Sequence, residues 1–300
     1  MSKLEALPQC AVAIPQYTWG MIFRALTLTL GLATFSIASA MSSTPQPAPA
    51  APAVQAPAPI FVLNSLDGNV SVIDPVTWTE TKRIPTGKEP HHLYLTPDEK
   101  SVIVANALSD SLTFIDPRTA EIQRVVPGIL DPYQLRFSPD MKWFVTVANR
   151  LNHIDIYKWD GQTPTLVKRI ASSKTPSHLW IDSKSTTVWA TMQDSNELVA
   201  VDLATQAIKW RVKTGPMPAD VFGTPDDKHL LIGLTGGDGV EVYDVANGPA
   251  QKIKKISTGK GAHAFRAIGD KQHVLVSNRV ANTISKIDYK IFTVVDPSPG

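Results

Sequence analysis

"PHHLYLTPDEKSVIVANALSDSLTFIDPRTAEIQRVV", residues 90–126, holds four short apolar runs: "HLYLTP", "SVIVAN", "SLTFID" and "EIQRVV". Pro-Asp, polar and Asp-Pro-Arg-Thr turns separate them. The runs are short and rich in β-branched residues, which favours strands over helices. Pro97-Asp98 falls mid-unit, where it would break a helical repeat of the same length. The stretch predicts four antiparallel strands joined by tight turns.

The wording recurs. "LDPYQLRFSPDMKWFVTVAN" (130–149), "KTPSHLWIDSKSTTVWATM" (174–192) and "GPMPADVFGTPDDKHLLIGLT" (215–235) restate its first half. Two markers measure the period. The Asp residues that close an apolar run, Asp74, Asp116, Asp155, Asp202, Asp244 and Asp288, are 42, 39, 47, 42 and 44 apart. Pro90, Pro132, Pro176 and Pro218 are 42, 44 and 42 apart, and Ala262 lies 44 further on. A period of about 43 residues is therefore one four-stranded sheet. "WFVTVAN" (143–149), "TVWATM" (187–192), "HLLIGLT" (229–235) and "HVLVSN" (273–278) are apolar at almost every position. Strands apolar on both faces are covered on both faces. One sheet cannot cover itself in this way and a ring of sheets can, so the expected fold is all-β, a β-propeller of four-stranded antiparallel blades.

The unit resembles the YVTN-type repeat of bacterial exported propellers, which include the YncE-like proteins. The shared features are Pro-His, a strand, a Pro-Asp turn, a strand closing on Val-Ala-Asn, and an apolar run closing on Asp. The resemblance covers residues 60–300, is a structural signature, and implies seven blades. Residues 60–300 make about 5.6 units of this period. The first unit opens on "IFVLNS" (60–65), which matches the second strand of a blade, and the last ends in "IFTVVDPSPG" (291–300). The expectation is about six blades, a seven-bladed propeller truncated at its C-terminus; a six-bladed ring with one three-stranded blade is the alternative. Such a chain is expected to be a monomer, with edge pairing open to it if the ring is unclosed.

With 43% apolar and 19% charged residues, the chain can bury a core. Its 29 basic and 27 acidic residues leave a net charge of +2, too weak a field for nucleic acid. "MIFRALTLTLGLATFSIASA" (21–40) places Arg24 before an apolar run from Ala25 to Phe35, with Ala38-Ser39-Ala40 behind it. That is the layout of a secretory signal peptide. Residues 1–40 are read as the signal region with translation starting at Met21, 41–59 as a Pro/Ala-rich linker, and 60–300 as the propeller. Cleavage after Ala40 removes Cys10, the only cysteine, and leaves no transmembrane helix in the mature form. The expected location is periplasmic or secreted.

In a meander, the turn entering the first strand and the turn between the second and third share one face, and the first strand lines the channel. The candidate ligand-binding residues at that mouth are His91, His92, Tyr133, Gln134, Arg150, His178, Asp220, His263, Arg266 and Arg279. Five of the seven histidines (91, 92, 153, 178 and 263) fall in these same-face segments. Pro-His is also the repeat's own turn spelling, where an imidazole can simply bond the backbone. Trp143, Trp180, Trp189 and Trp210 lie in strand runs and are expected to pack between blades. No G-x-S-x-G, H-E-x-x-H or phosphate-loop pattern occurs, and "TGGDGVE" (235–241) sits between strands rather than opening a helix. The leading expectation is a binding or scaffold module for an unknown protein or small ligand, with no catalytic residue, metal or cofactor. Resembling propellers include the haem d1 domain of cytochrome cd1 nitrite reductase and a lactonase of sugar-acid metabolism. The resemblance therefore implies alternatives, haem d1 or lactonase-like chemistry at His92, His178 or His263, while a metal would draw on His92, His178 and Asp220, which share one register. An inert truncated product is the third.

Overall fold

A computed structural model of the protein describes residues 57–295. The expected signal peptide, most of the linker and residues 296–300 lie outside the described residues. Six antiparallel sheets follow one another along the chain, each a simple meander. The first has three strands, β1 (Ile60–Asn64), β2 (Asn69–Ile73) and β3 (Glu80–Pro85), and the other five have four. Their innermost strands are Pro90–Leu95, Pro132–Phe137, Pro176–Ile181, Pro218–Gly223 and Ala262–Ala267. These strands pack on one another in chain order, which makes a six-bladed propeller whose first blade has no innermost strand among the described residues.

The core consists of five apolar layers, each shared by two consecutive blades. Val70 and Val72 of blade 1 meet Val102 and Val104 of blade 2, whose other face sets Leu112 and Phe114 against Leu135 and Phe144. Ile154 and Ile156 meet Leu179 and Val188, Leu198 meets Leu230 and Ile232, and Val240 and Val242 meet Val274 and Val276. A fully buried Leu or Val contributes about 1.5–3 kcal/mol relative to an exposed one, so each blade needs both neighbours. The four strand tryptophans do pack between blades. Among the described residues no such layer joins blade 6 to blade 1.

Two polar devices explain the repeated letters. The Asp after the third strand accepts two backbone N–H groups of the following turn, as Asp74 does from Val76 and Thr77 and Asp116 from Arg118 and Thr119. A carboxylate on a side chain this short reaches both donors. In blade 3 that residue is Asp160, bonded to Gln162 and Thr163, and not Asp155, which lies inside the seven-residue strand His153–Trp159. With Asp160 in the series the intervals become 42, 44, 42, 42 and 44, so the uneven 39 and 47 had marked the wrong Asp. The second device is the Asn closing the second strand. Asn64, Asn106 and Asn278 each donate to a hydroxyl seven residues on, Ser71, Thr113 and Ser285, at 2.8, 2.9 and 2.9 Å.

Candidate functional site

The mouth of the channel is shaped by the same backbone device in five blades. The residue before each innermost strand is left-handed: Glu89, Asp131, Thr175 and Met217 have φ of 52°, 44°, 59° and 49°. Gly261 fills the fifth position at φ 75°, where no side chain opposes that conformation. A bulge follows at once, seen as a register shift between Pro90 and His92 and at the equivalent places in blades 3 to 6. Bulges re-aim side chains and free backbone groups from the ladder.

The freed groups are claimed by the residue two after the proline. Gln134 accepts from Leu179 N at 2.6 Å, and Asp220 from Phe265 N at 2.9 Å. His92 Nδ1 lies 2.7 Å from Tyr133 O. All three therefore latch one blade to the next, and Gln134 and Asp220, both buried, are spent on the backbone. At the fourth seam Thr191 substitutes, donating to Ala219 O at 2.6 Å, which leaves the His178 ring free of latch duty.

What converges is a cluster of five rings. Tyr133 stacks on His91 at 4.0 Å between centroids. His92 meets His91 at 4.9 Å and His178 at 5.1 Å, and His178 meets His263 at 5.7 Å. Side chains from blades 2, 3, 4 and 6 thus touch across the channel. Burial holds the His91 imidazole down at about 4, helped by the positive charges of Arg279 and Arg150. Burial likewise pushes His92 and His178 well below the usual histidine range and lowers His263, and it raises the Tyr133 phenol to about 12. The four imidazoles are neutral at pH 7. Because a carbonyl only accepts, Nδ1 of His92 carries the proton and its lone pair sits on Nε2. His178 and His263 have Nδ1 tied to Ser177 Oγ (2.8 Å) and Thr235 Oγ1 (3.0 Å). His91 is the exception, with both nitrogens shielded and without a hydrogen-bond partner among the described residues.

The arginines divide. Arg150 is held by Glu89 at 2.7 Å, Asp131 at 2.8 Å and Ala107 O at 2.7 Å, fastening blade 3 to blade 2. Arg266 donates to Phe265 O beside it, and Arg279 is exposed with no ion pair among the described residues. Arg136, which sequence reasoning passed over, donates to Leu179 O and lies 4.6 Å over the Trp180 ring. It stands in the same register as Arg266, each the fifth residue of its innermost strand, and that equivalence was the available signal. His153, the fifth same-face histidine, points away from the cluster to Asp155 at 3.4 Å.

Ser177 Oγ and His178 Nδ1 have the spacing of a nucleophile and its base, but Ser177 is fully buried and the pair is structural. Among the described residues no three His, Cys, Asp or Glu side chains are placed to hold a metal ion. Nor does a haem fit this arrangement. His178 is 3% exposed and its ring meets those of His92, Tyr133 and His263, so a macrocycle could reach it only by displacing them.

Fold and site together define a β-propeller whose channel mouth is closed by neutral imidazoles and bordered by arginine. The chain belongs to the YncE-like β-propeller family, whose model matches residues 22–300. No curated protein matches it. Solved structures with similar folds include Kuenenia stuttgartiensis hydrazine synthase, with a TM-score of 0.65 at 18% identity over 77% of this chain and 73% of that one. The dihydro-haem d1 dehydrogenase NirN superposes with a TM-score of 0.55 at 17% identity, over 84% and 67%. A putative 6-phosphogluconolactonase of Bacteroides fragilis reaches 0.64 at 18%, over 80% of each chain. At these identities the likeness is one of fold. No helix among the described residues is long and apolar enough to cross a membrane.

Proposed function

We propose that the protein is an exported binding module, and that its channel-mouth face takes a negatively charged small ligand or an acidic segment of a protein partner. The observation that carries this reading is an unbonded His91 that feels the charge of Arg279. A neutral imidazole with an unclaimed N–H lies within the electrostatic reach of a guanidinium that has no counter-ion among the described residues. An anion at the mouth would neutralise Arg279, and turning the His91 ring to bring its shielded N–H to that anion would recover what an unbonded buried donor costs, about 1–3 kcal/mol. The packed rings put the contact at the mouth rather than inside the channel. Binding without chemistry is the economical reading, because the one serine–histidine pair is sealed.

Titration calorimetry at low salt with inorganic phosphate, citrate and polyglutamate tests it. Saturable binding of one of these, abolished by Arg279→Glu and weakened by Arg279→Lys, is the expected result; equal binding by the wild type and Arg279→Glu overturns it. Export rests on the signal-like segment at 21–40 and on the family's habit. Fusion of residues 1–59 to a phosphatase active only outside the cytoplasm tests that part, and an inactive fusion removes it.

A further inference from the structure

We propose that the channel holds a second binding site, on the far side of the ring cluster from the mouth, which takes the carboxylate of a small organic acid on the guanidinium of Arg136. The innermost strands run down the channel from the mouth. Their fifth residues, Tyr94, Arg136, Trp180, Phe222 and Arg266, form one layer beneath the rings. The third residues, His92 and His178 among them, make the layer above.

Arg136 is built into its layer from both sides. Its Nε donates to Leu179 O of the next blade, and its Cζ lies 4.6 Å over the Trp180 ring and 5.7 Å over the Tyr94 ring. Trp180 is itself fixed. It meets Phe222 edge-on at 5.4 Å and lies against Gly223, where any Cβ would collide with its Nε1. The same place in the other innermost strands holds Leu95, Phe137, Ile181 and Ala267, so the glycine belongs to the blade that leaves room for this indole. A guanidinium whose faces lie on aromatic rings keeps its remaining donors in its own plane. The two Nη groups of Arg136 have no hydrogen bond or ion pair among the described residues, and the side chain is half-buried.

The layer is one negative charge short. Besides the burial that dominates both groups, the positive charges of Arg136 and Arg266 bear on the Tyr94 phenol and on His178. Asp220, the carboxylate that also reaches Tyr94, has Oδ1 on Val221 N and Oδ2 on Phe265 N, each at 2.9 Å. Two cations against one anion leave a positive charge in a channel walled by protein, where its pull on an anion is stronger than in bulk water. A monocarboxylate balances that charge, and its two oxygens match the planar fork of Arg136. The packed rings of His92 and His178 roof the site, so the acid enters from the end of the channel opposite the mouth.

The test follows the tryptophan indole N–H signals of the isotope-labelled full chain by NMR, with that of Trp180 assigned by its loss in Trp180→Phe. Benzoate is the probe, and benzamide, the same body without the charge, is the control. Expected is a saturable shift of the Trp180 signal with benzoate and none with benzamide. Arg136→Gln should abolish the shift, and Arg136→Lys, which keeps the charge and loses the fork, should weaken binding several-fold. The other tryptophan signals report whether each variant is folded. Arg279→Glu should leave the shift unchanged, which separates this site from the channel mouth. A Trp180 signal that benzoate does not move, an equal shift with benzamide, or an undiminished shift in Arg136→Gln overturns the proposal. Should Arg136→Gln not fold, wild-type affinity in Arg136→Lys overturns it, as does loss of the Trp180 shift in Arg279→Glu.

Discussion

Lowering the pH from 7.5 to 5.5 should destabilise this protein by about 4 kcal/mol through the ring cluster alone. His91, His92 and His178 are kept neutral in the fold by burial, whereas the unfolded chain takes up protons at the ordinary histidine value of about 6.5. The unfolded state then binds more protons than the native state, so stability is whole above about pH 6.5 and is lost as the pH falls below it. For His91 the loss runs down to its folded value of about 4 and levels off there. One unit below the unfolded value, each imidazole that stays neutral contributes a loss of about 1.4 kcal/mol, and three give the total. Carboxylates held down in the fold, such as Glu241 and Asp270, lose stability only as the pH falls below about 4.5 and do not enter this window. Urea unfolding followed by tryptophan fluorescence at intervals between pH 7.5 and 5.5 measures the effect. His91→Phe keeps a ring stacked on Tyr133 and removes two unpartnered nitrogens. It should be at least as stable as the wild type at pH 7.5 and lose about 1.4 kcal/mol less on acidification. An unchanged urea midpoint across the range, or an undiminished loss in His91→Phe, would refute the neutral-imidazole cluster.

Asp220→Ala should cost about 1–3 kcal/mol at pH 7.5, because it strands the buried Phe265 N–H, and the same denaturation experiment reads it. Leu198→Ala should cost about 2–5 kcal/mol while Ile284→Ala, at the equivalent position of blade 6, stays within about 0.5 kcal/mol; equal effects would mean that the sixth blade is covered. Gly239→Ala should destabilise by about 1–3 kcal/mol, since its Cβ would collide with Ile256 O, and a thermal melt with an unchanged midpoint would contradict that.

Much of the architecture could be read from single letters because the devices that make a blade are local. An Asp that closes a turn does so with the next three residues, and an Asn that pins a strand reaches seven residues on, so their spacing survives in the sequence. The one misreading of the period, Asp155 for Asp160, came from a longer third strand that also offers a carboxylate, and it left its trace as an uneven interval. The mouth residues were legible as a register and no further. Gln134, Asp220 and His178 share one position, yet the first two bind the backbone of the next blade and the third joins a ring cluster. Arg150, a candidate for ligand binding, is held by Glu89 and Asp131, while Arg136, which was not among the candidates, bonds Leu179 O and lies over Trp180. Asn106, which closes the second strand of blade 2, is turned into its own blade.

The sequence by itself determined the strand pattern, the repeat and the face on which the mouth would lie, because hydrogen bonds within a blade connect residues a few positions apart. Only the tertiary structure decided which side chains of equal register meet and which are covered by a neighbouring blade. Those contacts join residues a whole blade apart, and nothing in Ile284 itself distinguishes it from Val240, which a blade covers while none of the described residues covers Ile284.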